Sequence, residues 1–484
     1  MHFKQSRRNK VQEVQLTPQK ALAVVWEDKR QSNMKNRRVY IMIIAATLLF
    51  TSCNLYRKYQ SDTTVRSDVM GDVVNPQDTL SMGAMDWHTV FTDPLLQKLI
   101  ETALANNTNV RSAQLSIEQA QNSVKSAKWG YAPTLSFTPQ ASYAYQGGNS
   151  FSAQIPISAS WQLGIFGQTT TGVRKAKAQA AYEEDYKQAV QVSLAANVAN
   201  LYYTIVMLDR ELEIAEQTEK LWEQSLESTR ALYDAGIYES PALYQMEASV
   251  AEVKTKIIDL RNTILTTEAA LCNLLAEPPH HIERAPFGSF RMPEQLHLGL
   301  PIRLLDARPD VRMAERNMEL AYYGTQSARQ NFYPTISIGG LFGAAFSPAQ
   351  LIGQAVASLT QPIFAAGKLT AQLRNAKLEQ EKARLAFEQS LLNAGKEVYT
   401  HLHNCQTAGQ KAIYIETRVN ALQQAYDATS ALMEHGSTTY LEVLTAQESL
   451  LSAQLSQVQN QYEAIEALIN LYSALGGFGT GTEK

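Results

Sequence analysis

Cys53 is the residue best placed for covalent chemistry. It closes the run Leu49-Phe50-Thr51-Ser52-Cys53, in which small residues lead up to a cysteine. Such a run signals cleavage before the cysteine and lipidation of its thiol, although Phe50 stands where leucine is usual. The alternatives are an ordinary signal peptide, or a short anchor that happens to contain a cysteine. His401 and Cys405 lie four residues apart and so share a helix face, but two ligands are too few for a metal site. His280-His281 stands in a Pro/His/Arg-rich stretch and is expected to be exposed. There is no phosphate-cradling glycine loop and no nucleophile motif. Gly476-Gly477-Phe478-Gly479 has no helix after it, and residues 477–484 read as a flexible tail. These residues point to no enzyme, no metal and no cofactor.

What precedes Cys53 fits a signal peptide. Lys35, Arg37 and Arg38 form a positive start, and Val39 to Phe50 is an apolar run of 12 residues. That is short for a membrane span and right for a signal core. Met34 is a natural start, which makes residues 1–33 an upstream extension. Residues 1–52 hold 10 of the 43 Lys/Arg and 3 of the 46 Asp/Glu; without them 33 basic and 43 acidic side chains remain, a net of −10. Such a balance gives no electrostatic footprint for nucleic acid. Cys272 and Cys405, both in helical patterns, are expected to be buried thiols rather than a disulfide.

The elements behind these residues are written twice. Ser126 to Ser136 matches Ser327 to Ser337, and Asn109-Val110-Arg111 matches Asp310-Val311-Arg312, both at an offset of 201. Val173 to Lys177 matches Leu373 to Lys377, Leu232 to Gly236 matches Leu432 to Gly436, and Leu275-Ala276 matches Leu475-Gly476, all at 200. Two homologous halves follow, 93–276 and 302–476, joined by a link, 277–301. A segment 53–92 precedes them.

Each half reads as helix, two strands, long helix, turn and long helix. The strands are 134–145 and 151–166, then 335–346 and 349–364. In Ser152–Phe166 the residues Ile155, Ile157, Ala159, Trp161, Leu163 and Ile165 fall on one face and Gln154, Ser158, Ser160 and Gln162 on the other. A tilted membrane strand needs about 9–11 residues, and these runs are at least that long. A soluble four-stranded sheet with Trp161 in its core is the alternative, but no sequence remains to cover its apolar faces. Helices are expected over 167–232, 240–275, 367–432 and 437–475. The 167–232 and 367–432 stretches contain no proline, and each would span roughly 100 Å. Leu194, Val198, Leu201, Ile205, Leu208 and Leu212 step by 4 and 3, as do Leu441 through Tyr472, which is coiled-coil spacing. Gly236 and Gly436 read as helix-ending residues in the left-handed conformation, and Ser240-Pro241 as the start of the returning helix.

At these residues the chain resembles the TolC-like outer-membrane factors, in particular the lipidated OprM/NodT-type branch. The resemblance covers nearly all of Cys53–Gly479. It is carried most specifically by Leu300 to Arg312 (LPIRLLDARPDVR), Phe332-Tyr333-Pro334, Gln361 to Gly367 (QPIFAAG), Tyr472 to Gly477 (YSALGG) and Cys53-Asn54-Leu55-Tyr56. It implies a mainly α protein with a transmembrane β part. Three copies would form one tube, with four strands per protomer in a single 12-stranded β-barrel on a long α-helical coiled-coil barrel. It would stand in the outer membrane, anchored in lipid through Cys53, and extend into the periplasm. The two glycine turns would lie at the periplasmic mouth. Gate candidates there are Asp234, Gly236 and Glu239 in the first half, and Glu434, Gly436, Thr438, Tyr440 and Glu442 in the second. Ala242 and Thr438 depart from the acidic or charged residues that relatives place at the gate. The plainer alternative for these carboxylates is solvated charge at helix ends.

The implied function is a passive exit duct for small molecules such as drugs, one part of a tripartite efflux system. Its partners would be a periplasmic adaptor (membrane fusion) protein and an inner-membrane resistance–nodulation–division (RND) pump. Two alternatives stay open: a duct for protein secretion through an ABC exporter, and a structural surface coiled-coil lipoprotein without membrane strands.

Overall fold

A computed structural model of the chain describes residues 57–60, 82–145, 149–290, 307–346, 349–435 and 437–478. Residues 1–58 and 59–484 separate into two units, and of the first only Arg57 and Lys58 are described. The signal sequence, Cys53, most of segment 53–92, Gly436 and residues 291–306 and 479–484 lie outside the described residues.

A 3-10 turn at Met82–Ala84 leads into α1 (Trp87–Val90), α2 (Pro94–Asn106) and α3 (Thr108–Trp129). Strands β1 (Thr134–Phe137), β2 (Gln140–Tyr145) and β3 (Asn149–Leu163) follow, then the helices α4 (Gln168–Asp234) and α5 (Ser240–Leu275). The second half contains α6 (Pro309–Gln330), β4 (Thr335–Phe346), β5 (Ala349–Thr360), α7 (Lys368–Glu434) and α8 (Tyr440–Ala474). The repetition survives in the lengths: α3 and α6 have 22 residues each, α4 and α7 have 67 each. Each long helix starts from a glycine at positive φ, Gly167 at 83° and Gly367 at 80°. A side chain is strained there, so glycine lets the chain pass from strand to helix within a few residues.

Several boundaries differ from the sequence expectation. The helix before the first strands is broken at Asn107. Its Oδ1 accepts from the Asn109 N–H at 2.9 Å, capping α3, and its amide donates to the Leu274 carbonyl at 2.9 Å. The 134–145 strand is interrupted at Thr138-Pro139, because Pro139 has no N–H to give; β1 and β2 keep one register on β3 across the gap (Thr134↔Ser160, Gln140↔Gln154). The later strands stop at Leu163 and Thr360 rather than at Phe166 and Phe364, and α8 begins at Tyr440 rather than 437. Phe166 turns out of the sheet and stacks on Tyr333, ring centroids 5.4 Å apart.

The tail needs a correction. Phe478 is 2% exposed and stacks on Phe91 at 5.3 Å, with its ring edge-on to Tyr472 at 4.9 Å. The Gly477 N–H donates to the Tyr472 carbonyl at 2.9 Å. Residues 477 and 478 thus belong to the core, held by aromatic packing that no local pattern announces.

Four helices lie abreast at every level. Beside the sheet the order is α3, α4, α6, α7; farther away it is α5, α4, α8, α7. The heptad row on α4 forms the seam: Leu194, Val198, Ile205 and Leu208 are buried, Leu201 and Leu212 partly so. Between the halves, Asp185 of α4 receives Arg312 Nε at 2.7 Å and Arg316 Nε at 3.3 Å. Gln330 of α6 donates to Thr171 Oγ1 at 2.8 Å. Cys272 and Cys405 are buried free thiols, as expected.

Candidate functional site

The sheet is antiparallel in the order β1/β2, β3, β4, β5, so β1/β2 and β5 are its free edges. Residues opposite one another share a face, and the register gathers the aromatic and most large apolar side chains on one face, with Leu341, Ile352 and Val356 on the other. One face carries Leu135, Phe137, Ile155, Ile157, Trp161, Ile338, Phe342 and Leu359, for example in the pairs Phe137↔Ile157 and Ile157↔Phe342. All eight are exposed, and among the described residues no second layer covers them. The other face carries hydroxyls and amides. Ser136 and Ser158 meet at 2.7 Å, Ser142 and Ser152 at 2.8 Å, Ser337 and Ser358 at 2.7 Å. Pro156 is tolerated in a central strand because Gly343 lies opposite; a Cβ on Gly343 would reach 2.7 Å from the Pro156 Cα.

No Asp, Glu, Lys, Arg or His occurs between Lys128 and Arg174, or between Arg329 and Lys368. Aromatic residues gather at both ends of this uncharged zone. Trp129, Tyr131, Trp161, Phe332 and Phe364 are exposed near the helices, with Trp161 Nε1 donating to the Tyr131 carbonyl at 3.0 Å. Tyr143, Tyr145, Phe151 and Phe346 are exposed near the opposite ends of the strands. An apolar band between two aromatic girdles, with the polar face turned the other way, is the pattern of a membrane-spanning β-barrel wall. Among the described residues only α4 is long and apolar enough to cross a membrane as a helix, and most of that stretch is buried by its neighbours, as a core helix would be.

Far from the sheet, roughly 100 Å along α4, lie the two interhelical turns. The first is closed by the Ile237 N–H on the Leu232 carbonyl and the Gly236 N–H on the Tyr233 carbonyl, both 2.9 Å, with Gly236 at φ 72°. This double closure satisfies the last carbonyls of α4. In the second turn the Ser437 N–H reaches the Leu432 carbonyl at 2.9 Å, the same bond 200 residues on.

Of the expected gate residues, Asp234, Glu239 and Glu442 are exposed, and no ion pair among the described residues involves them. Thr438 donates to Glu442 within one turn of α8. Tyr440 is brought against Tyr238 of the first turn, ring centroids 6.1 Å apart at 50°. Burial pushes the Tyr440 phenol pKa up, and nearby Glu448 adds to the shift. Gly436 lies outside the described residues, and for Glu434 only the backbone is described. Sequence reasoning missed Tyr238; its only signal is its place two residues after Gly236. It also missed the structural work of Arg308, which is buried, donates to the Ala474 carbonyl at 2.8 Å and pairs with Asp310 at 2.7 Å and Glu397 at 2.6 Å.

Comparison with known proteins agrees with this geometry. The sequence model of the family described as outer membrane efflux protein matches residues 99–277 and again 300–477. The chain is 26% identical over 461 residues to the probable efflux pump outer membrane protein TtgC of Pseudomonas putida, covering 90% of this chain and 95% of that one. It is 26% identical over 453 residues to the cation efflux system protein CusC of Escherichia coli K12, covering 90% and 99%. The open state of the Neisseria gonorrhoeae MtrE outer membrane channel superposes with a TM-score of 0.76 at 26% identity, over 87% of this chain and 97% of that one. With both halves matched and the fold shared from strands to turns, this chain belongs to the outer membrane efflux protein family.

Proposed function

We propose that three copies of this chain close into one outer-membrane exit duct for small molecules, anchored in lipid through Cys53 and joined in the periplasm to an adaptor protein and an inner-membrane RND pump. The observation that carries this reading is the sheet: four strands' width, two free edges and one uncovered apolar face. Free strand edges do not persist in a bilayer, so the sheet needs copies of itself to close. The same two sides are open along the helices. α7 exposes Leu378, Leu385, Leu392 and Tyr399 at heptad spacing, and α5 exposes Ile258 and Leu265, also seven apart. A β5/α7 side set against the β1/α3/α5 side of the next copy is a head-to-tail contact, and such contacts generate rings. Cargo would pass along the polar strand face and leave without chemistry, the energy coming from the pump.

The test is photo-crosslinking from Ser437, beside the second turn, in living cells, followed by mass spectrometry. The expected products contain a periplasmic adaptor and an RND pump. Recovery of an ABC exporter would make the cargo protein, and recovery of only this chain or peptidoglycan would replace the duct with a structural lipoprotein. Anchoring has its own readout. The parent should incorporate labelled palmitate and Cys53→Ser should not; equal labelling would remove the anchor from Cys53.

A further inference from the structure

The repeat lets one helix contact be read twice. In the first half, α6 packs against α4, on whose heptad row Thr171, Ala178, Asp185 and Val192 are all buried. The same row 200 residues on, in α7, is Ala371, Leu378, Leu385 and Leu392, and all four are exposed. The counterpart of α6 is α3, 201 positions earlier. There the residues equivalent to Arg312, Arg316 and Gln330 are Arg111, Leu115 and Trp129, and these too are exposed.

The two sets differ in chemistry from both sides at once. Within the protomer, Asp185 receives Arg312 Nε at 2.7 Å and Arg316 Nε at 3.3 Å, Arg312 also donates to Gln188, and Gln330 donates to Thr171 Oγ1 at 2.8 Å. At the equivalent positions Asp185 and Arg316 become Leu385 and Leu115, so both ends of an ion pair turn apolar together. Thr171 and Gln330 become Ala371 and Trp129, a hydrogen-bonded pair exchanged for a small residue and a large ring. Arg312 stays arginine as Arg111, and Gln188 becomes Glu388, which returns a carboxylate where Asp185 is lost. Changes matched in this way belong to one contact, yet α3 and α7 stand at opposite edges of the protomer.

We propose that α7 of one copy seats on α3 of the next in the register of α4 on α6, with Leu385 against Leu115, Ala371 under Trp129 and Glu388 paired to Arg111, and that this apolar seam, unlike the ionic one inside each copy, fixes the order of halves around the ring. The inference rests on reading the chain as one of three copies in a duct. Two first halves side by side would set Asp185 against Leu115, and two second halves would set Leu385 against Arg316. Either arrangement strands a charge on a leucine, whereas alternating halves satisfy both seams.

Paired cysteines read the register. In outer membranes carrying the full chain, Leu115→Cys with Leu385→Cys, treated with a short bismaleimide, should give covalent dimers and trimers on boiled gels. Each single variant should stay monomeric, since the native Cys272 and Cys405 are buried. Moving one partner by a heptad, to Leu378→Cys or Leu392→Cys, displaces it about 10 Å along the helix and should cut crosslinking at least tenfold. A charge exchange reads the chemistry. Leu115→Arg should lower the trimer fraction in detergent several-fold, and adding Leu385→Asp, which rebuilds the arrangement around Asp185, should restore it. The seam is overturned if a trimeric parent crosslinks no better at 115–385 than at the shifted pairs, if Leu115→Arg is harmless, or if the double charge variant is no better than the single. A parent that amine crosslinkers capture only as a monomer overturns the trimer reading itself.

Discussion

Ile157→Arg should empty the outer membrane of this protein, while Ser158→Arg, one residue on, should leave it in place. Both residues sit mid-strand in β3, and the register sends them to opposite faces. Ile157 lies between Phe137 and Phe342, and Ser158 lies opposite Ser136 and Leu341. An arginine on the lipid face at mid-bilayer costs about 2–4 kcal/mol. In the proposed ring every copy would carry it, so the penalty would recur around the barrel. An arginine on the polar face stays in water and forfeits one serine–serine hydrogen bond, about 1 kcal/mol. Outer-membrane fractions run unheated on gels provide the readout. Equal tolerance of the two substitutions would mean that the apolar face does not meet lipid.

The second large effect is expected at Arg284, in the link after α5. Its side chain is 10% exposed and reaches Asp209 Oδ1 at 2.8 Å and the Ile282 carbonyl at 2.7 Å, besides pairing with Glu268. Burial opposes the guanidinium charge, but the hydrogen bonds it donates to Asp209 and Glu268 more than offset it, and its pKa is raised. Glu268 is 6% exposed, accepts from the Ile282 N–H at 3.3 Å and faces His281 at 2.9 Å. Arg284→Ala would strand the Glu268 carboxylate, and breaking a buried pair from one side costs about 3–5 kcal/mol. Asp209 is more open to water and adds less. Adding Glu268→Gln should recover part of the loss, since the uncompensated charge is then gone. Thermal unfolding in detergent measures both. A single variant as stable as the parent, or a double variant no better than the single, would show that the pair does not hold the link.

The parts of the fold legible in the sequence are those with a period. Alternation over residues 152–166 set the faces of β3, 3/4 spacing from Leu194 to Leu212 set the seam of α4, and an offset near 200 revealed the repeat. Each signal is local or self-referring, so one chain suffices to read it. Strand ends were overestimated because Ile165 continues the alternation after the backbone has left the sheet. What was not legible depends on partners far away in sequence. Asn107 breaks a helix while bonding to Leu274; Phe478 packs on Phe91; Arg284 meets Asp209. The two interhelical turns show the same limit. Glycines and carboxylates mark the turns, but Tyr238 and Tyr440 are 202 positions apart and nothing near either names the other.

The strand zone has a consequence for what leaves the cell. A wall of serines, glutamines and threonines without a single fixed charge gathers no counter-ion atmosphere and sets up no Donnan potential. Selective pores are commonly built on rings of ionised side chains, and this exit has none to offer. Brackish or salt-poor surroundings, or a medium rich in divalent ions, would leave the last stretch of the path unchanged. On the proposed path, any sorting of cargo by charge would take place upstream, before the molecule reaches the strands, and the strand end would serve as an electrically indifferent spout.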